Sequence, residues 1–132
     1  MADEILHFLW SCSLGTLPCL SALSSRHIVT YSLCPRCHLY SETPLHATSE
    51  CFVNVVMLER VSFYSKMMSG VWDSFYGLLS FAWSVLSKGE VRLLCVLLWL
   101  NWKERNVVVH GDQARDPGVL LDLGMSIWNG AE

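Results

Sequence analysis

The sequence predicts a small, mostly α-helical domain with one irregular Cys3His insert. The 132-residue chain is 52% apolar and only 16% charged, whereas an average soluble domain carries roughly 25% charged residues, so a packed core is expected rather than disorder. Apolar residues recur at helical spacing along most of the chain. Residues 30–51 lack that spacing and are rich in Cys, His, Pro and Ser. One domain of this size cannot also contain a polymerase or kinase fold.

Two short helices are expected before the insert, in an N-terminal helical segment of residues 1–29. Apolar side chains cluster over residues 5–10 and again over residues 20–23, and Leu17-Pro18 separates the two groups. Proline ends a helix because it lacks an amide hydrogen and its ring clashes with the preceding turn. The break at Pro18 therefore divides this segment into two helices.

A helix start is marked at Thr43, a good N-cap residue, with Pro44 at the first helical position. This helix is expected to continue to about Met68. Most of its polar side chains share one arc of about 140°, which predicts a solvated face: Asn54, Glu59, Ser62, Ser65 and Lys66. Arg60 lies outside that arc, which argues against a straight helix.

The clearest amphipathic helix follows Ser69-Gly70. Its apolar residues are spaced by three and four positions, which predicts that they share the buried face: Trp72, Phe75, Tyr76, Leu79, Trp83 and Leu86. After a turn at residues 87–89, residues 90–105 are apolar on nearly every side. This helix is therefore expected to be the central and most buried element.

The end of the central helix carries Lys103, Glu104 and Arg105, which are expected to be solvated, with the cations near the negative pole of the helix dipole. Residues 57–111 thus form a second helical segment. A turn is predicted at Gly111-Asp112, and Asp116-Pro117 opens a last short helix. Residues 112–132 are interpreted as this helix or as a linker remnant.

The insert carries the spacing C-x2-C-x8-H-x4-C, formed by Cys34, Cys37, His46 and Cys51. Zinc prefers four nitrogen or sulfur ligands in a tetrahedron, and a C-x2-C turn lets two thiolates reach one ion. Three thiolates and one imidazole fill that shell and leave no position for a water. We therefore expect one structural Zn²⁺, held as a zinc knuckle in residues 30–56.

Other interpretations of these residues stay open. A C-x2-C pair can consist of buried cysteines or of a redox pair, although redox pairs occur near βαβ patterns and none is visible here. His38 competes with His46 as the fourth ligand, but its place beside Cys37 is geometrically awkward. The remaining cysteines lie on apolar faces and are expected to be inert core residues: Cys12, Cys19 and Cys95.

Two blocks of sequence form a recognisable order. The first runs from Phe8-Leu9-Trp10, Leu17-Pro18, Leu23 and Arg26 to Cys34-Pro35-x-Cys37, Glu42-Thr43-x-x-His46 and Cys51; the second is Trp99-x-x-Trp102-Lys103-Glu104-Arg105-Asn106. This order resembles the reverse transcriptase zinc-binding domain of plant non-LTR (LINE-type) retrotransposon polyproteins, over about residues 5–111. The resemblance implies the same four zinc ligands and a place between a polymerase and an RNase H domain.

The catalytic motifs of those neighbouring domains are missing. The chain contains no Tyr-x-Asp-Asp polymerase motif and no spread of acidic residues like that of an RNase H site. We therefore expect a truncated, retroelement-derived module that is not an enzyme. Its expected role is structural, with self-association through exposed apolar helix faces.

The alternative is a zinc-dependent module that binds RNA or single-stranded DNA. Arg26, Arg36, His38 and Tyr40 surround the knuckle and would supply phosphate contacts and base stacking. The net charge of −3 means that such a partner would have to be held by a local patch rather than by the overall field.

The sequence also predicts an intracellular protein that is neither secreted nor inserted in a membrane. The acidic start Met1-Ala2-Asp3-Glu4 is unlike the basic start of a secretory leader. The most apolar window, residues 91–102, contains Arg92 and is shorter than the about 20 residues that a bilayer span needs. A nuclear location is suggested only by the family's link with nucleic acid.

Overall fold

The computed structural model describes residues 2–130, and within them helices surround one long central helix. The elements in chain order are α1 (Asp3–Leu14), α2 (Leu20–Ser25), a single π-helical turn (His46–Glu50), α3 (Phe52–Leu58), α4 (Tyr64–Met67), α5 (Phe75–Val85), α6 (Lys88–Val109) and α7 (Pro117–Trp128). Extended pairing in these residues is limited to one antiparallel bridge between Leu33 and Ser41. The predicted class, mostly α with an irregular Cys3His insert, is confirmed.

The central helix α6 begins at a capping box. The Ser87 hydroxyl accepts a hydrogen bond from the Glu90 N–H, and the Glu90 carboxylate accepts one from the Ser87 N–H, so two donors of the first turn are satisfied. Leu97 and Leu98 in its middle are fully buried. Helices α1, α5 and α7 and the π-helical turn all contact α6, which confirms its predicted central place.

Helix α7 begins and packs as its sequence indicates. Pro117 occupies the first turn, and the Asp116 carboxylate accepts a hydrogen bond from the Gly118 N–H. Gly124 is buried on the side that faces α6, where a Cβ would lie 2.5 Å from a methyl carbon of Leu97. Glycine at this position therefore allows the close approach of the two helices.

The prediction of one continuous helix from Thr43 to about Met68 is wrong. Thr43 does cap a helical start, since its hydroxyl accepts from the His46 N–H at 3.0 Å. The π-helical turn and a break after Leu58 then divide the stretch into three short pieces. Asn54, predicted to be solvated, is buried because its amide donates to the Ala47 carbonyl at 2.8 Å.

Helix α5 exists but is shorter and differently oriented than predicted. It begins at Phe75 rather than near Trp72, because the Ser74 hydroxyl accepts from the Gly77 N–H and caps the helix there. Its buried residues are Phe75, Leu78 and Ala82. Tyr76 and Trp83, which were expected to be buried, are 68% and 67% exposed.

The predicted solvated end of α6 is also wrong for two of its three charges. Glu104 is buried and pairs with Arg115 at 2.7 Å, and Arg105 is buried against Glu42. Lys103 remains partly exposed, where its ammonium lies 4.7 Å from the centre of the Trp99 ring. Helical periodicity does not predict ion pairs between residues that are far apart in the sequence, so these two pairs were not expected.

None of the helices within residues 2–130 is both long enough and apolar enough to cross a membrane.

Candidate metal centre

The structure brings the four predicted ligands together. One donor atom each from Cys34, Cys37, His46 and Cys51 lies within 4.8 Å of all the others. The Cys34 and Cys51 sulfurs are 3.9 Å apart, and the Cys37 sulfur is 3.3 Å from His46 Nε2. Tetrahedral bonds of about 2.0–2.3 Å place donor atoms about 3.5–3.8 Å apart. The two separations of 3.9 and 3.3 Å are close to these values, and the whole cluster could hold a metal ion.

The first cysteine pair comes from a tight turn whose amides point at sulfur. The backbone amides of Arg36 and Cys37 lower the pKa of Cys34, and the Leu39 N–H donates to the Cys37 sulfur at 3.5 Å. His38 has a φ of 57°, in the left-handed region, so the chain reverses there. It is exposed and lies outside the cluster, and the geometry favours His46 as the fourth ligand.

The second pair flanks the π-helical turn. The Cys51 N–H donates to the His46 carbonyl at 3.0 Å, a hydrogen bond that spans five residues and widens the turn relative to an α-helix. Single π-helical turns are often found at functional sites. The wide turn lets the His46 ring and the Cys51 sulfur face the same point. The spacing predicts that these two residues bind one ion, but not that a π-helical turn positions them.

The pKa values of the two buried cysteines in the cluster are shifted in opposite directions. Their hydrogen bond lowers the pKa of Cys34 to about 4 and raises the pKa of Cys51. Burial opposes the shift at Cys34, whereas the amides that point at its sulfur favour it. A lowered pKa favours the thiolate form of Cys34, and the thiolate is the form of cysteine that binds metal ions.

A buried ion pair connects the stretch from Cys34 to Cys51, which we call the cluster segment, to the helices. Glu42 is fully buried, and its carboxylate accepts hydrogen bonds from Arg105 Nε at 2.8 Å and Nη2 at 2.6 Å. The same carboxylate accepts from the Leu20 N–H at 2.7 Å. Bidentate charge-assisted contacts of this kind fix geometry as well as energy. Glu42, which lies between the two ligand pairs, thereby joins the cluster segment to α2 and α6.

Two buried asparagines hold the π-helical turn. Asn54 accepts from Arg36 Nη1 at 2.8 Å and donates to the Ala47 carbonyl, so it links the first cysteine pair to the turn. Asn101 on α6 donates to the Thr48 carbonyl at 2.7 Å. Within residues 2–130, no buried side-chain nitrogen or oxygen lacks a hydrogen-bond partner. Hydrogen bonds from Asn54 and from Asn101 thus hold the π-helical turn on two sides.

Sequence reasoning missed these supporting residues. Asn101 did offer a signal, since an amide inside an otherwise apolar helix needs a buried partner. For Glu42 and Asn54 the hydrophobic periodicity contains no such signal, because their hydrogen-bond partners are distant in the sequence.

The four residues predicted to contact nucleic acid have different environments. Arg26, His38 and Tyr40 are exposed, and the Tyr40 ring lies 5.7 Å from the His46 ring. Arg36 is half-buried, and its guanidinium is engaged by Asn54. Three of the four side chains are therefore accessible, and the structure places Tyr40 beside the cluster.

The other cysteines are core residues, as predicted. Cys12, Cys19 and Cys95 are buried. Burial raises the pKa of Cys12 to about 12, with a smaller contribution from nearby Cys19, and raises the pKa of Cys95 to about 11. Thiols that stay protonated in this way are poor nucleophiles and poor metal ligands.

Fold and site together define a small helical domain built around a candidate Cys3His metal centre. No protein-family model matches the chain, and no match was found among curated proteins or among solved structures. The resemblance to the retrotransposon zinc-binding domain therefore stays a prediction from the two sequence blocks.

Proposed function

We propose that the chain is a zinc-binding structural module in which one Zn²⁺ organises the segment around Cys34, Cys37, His46 and Cys51. The observation that carries this proposal is the convergence of four nitrogen and sulfur donors within 4.8 Å. Three thiolates and one imidazole are the ligand set of closed, structural zinc sites. Hard cations such as Mg²⁺ and Ca²⁺ prefer oxygen ligands, so they fit this donor set poorly.

The ion's role would be to order a segment that has little regular structure of its own. Between Ser25 and His46 the backbone forms only the Leu33–Ser41 bridge and a short helical start. A structural zinc ion contributes about 10–16 kcal/mol of binding free energy, which becomes folding free energy when the free segment is unfolded. The contacts of Glu42 with Arg105 would then transmit this order to α6.

We propose no catalytic role for the site. Nucleophilic or acid–base chemistry needs a free nucleophile beside a base. The thiolates and the imidazole that would supply both are the proposed ligands, and a filled tetrahedral shell leaves no position for a substrate or an activated water.

A retroelement origin is the evolutionary part of the proposal. The two blocks that carry the resemblance are far apart in sequence, yet Glu42 of the first contacts Arg105 of the second. The blocks thus belong to one folded unit, which supports the idea that they were inherited together.

Metal analysis of the purified protein tests the proposal. We expect one zinc equivalent per chain and, after cobalt substitution, the intense absorption of thiolate-to-cobalt charge transfer. Cys37→Ser should abolish stoichiometric binding, whereas Cys95→Ser, a buried cysteine outside the cluster, should retain it. Protein that is free of metal when purified and does not bind added Zn²⁺ would contradict the proposal.

Binding of single-stranded nucleic acid is the second candidate function. It is favoured by one observation, namely that residues 26–41 contain two arginines and no acidic residue in a chain of net charge −3. Exposed Tyr40 and Arg26 in this stretch are side chains that stack on bases and neutralise phosphates.

Retention of single-stranded RNA at low salt, measured by fluorescence anisotropy, tests this second candidate. We expect binding to weaken as salt rises, on chelation, and in Arg26→Ala and Tyr40→Ala. Arg92→Ala, an exposed arginine on α6, is the control for loss of one positive charge. No binding at low salt, or equal loss in the control, would exclude a nucleic-acid site at the cluster.

A further inference from the structure

One surface of the protein exposes large apolar side chains from two neighbouring helices. On α1, Leu6, Trp10 and Leu14 recur at every fourth residue and are 50%, 66% and 57% exposed. On α5, Tyr76 and Trp83 are seven residues apart and equally accessible. We call this set of five side chains the outer face.

The two halves of the outer face adjoin each other. Helices α1 and α5 contact along the core, where the Phe8 and Phe75 rings meet edge to face with centroids 6.1 Å apart. Leu14 and Tyr76 line one cleft between the end of α1 and the start of α5. Residues seven apart lie on the same side of a helix, so Trp83 continues this surface two turns beyond Tyr76.

The chemistry of the outer face is that of a protein interface. Helix α5 carries no charged residue, and the charged residues of α1, Asp3 and Glu4, lie in its first turn. Depletion of charge at the centre together with enrichment in Trp and Tyr distinguishes interface cores from ordinary surface. Trp and Tyr are also the residues that most often dominate binding energy.

The exposed area fits a dimer of ordinary size. A fully covered aromatic side chain buries about 150–250 Å², so three aromatic residues and two leucines, each half to two thirds exposed, offer several hundred Å². A standard interface buries about 800 Å² per partner, and these five side chains alone supply a large part of that area. A patch of that size is at the upper end of what monomeric proteins expose.

We propose that the outer face is the interface of a two-fold symmetric homodimer, with the α1 and α5 helices of one copy packed on those of the second. A self-complementary apolar surface is the requirement of such an interface, and two-fold dimers are the commonest homo-oligomers. This inference names the partner for the structural role proposed above and rests on that role, although its five residues lie outside the metal cluster.

Sedimentation velocity of the metal-loaded protein over a range of micromolar concentrations tests the dimer. We expect a mass of twice 14.9 kDa for the wild type. Trp10→Glu and Trp83→Glu should each weaken the dimer at least about tenfold, because each buries a charge in the centre of the interface. Both side chains are two-thirds exposed, so neither change should disturb the fold, which circular dichroism can verify.

Tyr31→Glu provides the matched control, since Tyr31 is a 62% exposed aromatic residue outside the outer face. It should leave the dimer unchanged. A monomeric wild type, open-ended oligomers, a dimer insensitive to either tryptophan substitution, or equal weakening by Tyr31→Glu would each overturn the proposal. Zinc content measured in the same samples separates this result from the metal proposal, which a metal-loaded monomer would leave standing.

Discussion

The core around α6 and the cluster segment around Cys34 to Cys51 are held by different forces. Helix α6 buries an unbroken run of side chains from Leu93 to Leu98, and each contributes through non-directional burial of apolar area. The cluster segment buries sulfur and charge instead, including Cys34, Cys51 and the carboxylate of Glu42. Its stability thus depends on a few directional contacts with definite partners.

The two regions should therefore lose stability in different ways. Loss of one apolar side chain from α6 leaves all its neighbours packed, so the cost is local. Loss of one ligand from the cluster would release the proposed ion and with it every ligand contact at once. The regions meet where Arg105 binds Glu42 and where Asn101 binds Thr48. Four changes test this contrast, in decreasing order of the destabilisation that we expect.

Removal of the metal should have the largest effect and should be confined to the cluster segment. We expect chelation of the zinc-loaded protein to cost much of the about 10–16 kcal/mol that a structural zinc ion supplies. Hydrogen exchange followed by mass spectrometry should show fast exchange across residues 30–56, while the amides of α6 remain protected. Uniform loss of protection along the whole chain would show that the two regions are not separable.

Arg105→Ala should come next, because it leaves the Glu42 carboxylate buried without its cation. Breaking a buried ion pair from one side typically costs about 3–5 kcal/mol. We expect urea unfolding to report that loss and cobalt spectroscopy to report weaker metal binding, since the pair joins the two regions. Arg92→Ala, an exposed arginine on the same helix, should change neither quantity. Unaltered metal affinity in Arg105→Ala would show that the pair supports only the core.

Most of the helical core could be predicted from the sequence because helix formation is local. The Thr43 cap, the break at Pro18 and the apolar run of α6 depend on neighbouring residues. The orientation of α5 could not be predicted, since Tyr76 and Trp83 fit the apolar spacing as well as Leu78 does. Which side of such a helix is buried is decided by the shape of the elements it contacts.

The candidate cluster could also be predicted, because metal-binding residues can be recognised from their types and their spacing in the sequence. The residues that hold the cluster in place could not be predicted in this way. Glu42, Asn54 and Asn101 act through partners up to 63 residues away, and neither composition nor periodicity links such pairs. The π-helical turn is likewise invisible in the sequence, although it sets the positions of His46 and Cys51.

Leu98→Ala should destabilise the core without touching the cluster. Leu98 is fully buried on α6, and Leu→Ala changes in cores cost about 2–5 kcal/mol through lost burial and the cavity left behind. We expect a lower urea midpoint with an unchanged zinc equivalent and an unchanged cobalt spectrum. Loss of metal binding in this variant would erase the distinction between the two regions.

The Glu104–Arg115 pair should have the smallest effect and one that depends on pH. Burial by itself would raise the pKa of Glu104, but hydrogen bonds from the Arg115 N–H and guanidinium outweigh it and hold the pKa below its ordinary value. A carboxyl whose folded-state pKa is lowered stabilises the protein above its unfolded-state pKa of about 4.3, and this contribution disappears as the pH falls through the lower folded-state value.

Glu104→Gln should therefore cost about 1–3 kcal/mol near pH 7, the range for hydrogen bonds to charged groups, with partial exposure of Arg115 favouring the lower part of the range. The difference from the wild type should stay constant down to about pH 5 and shrink below about pH 4. Glu59→Gln, at an exposed position, controls for charge. If the difference in unfolding free energy instead grows as the pH falls, Glu104 is held protonated. The Glu104–Arg115 ion pair would then contribute nothing to the stability of the helical core.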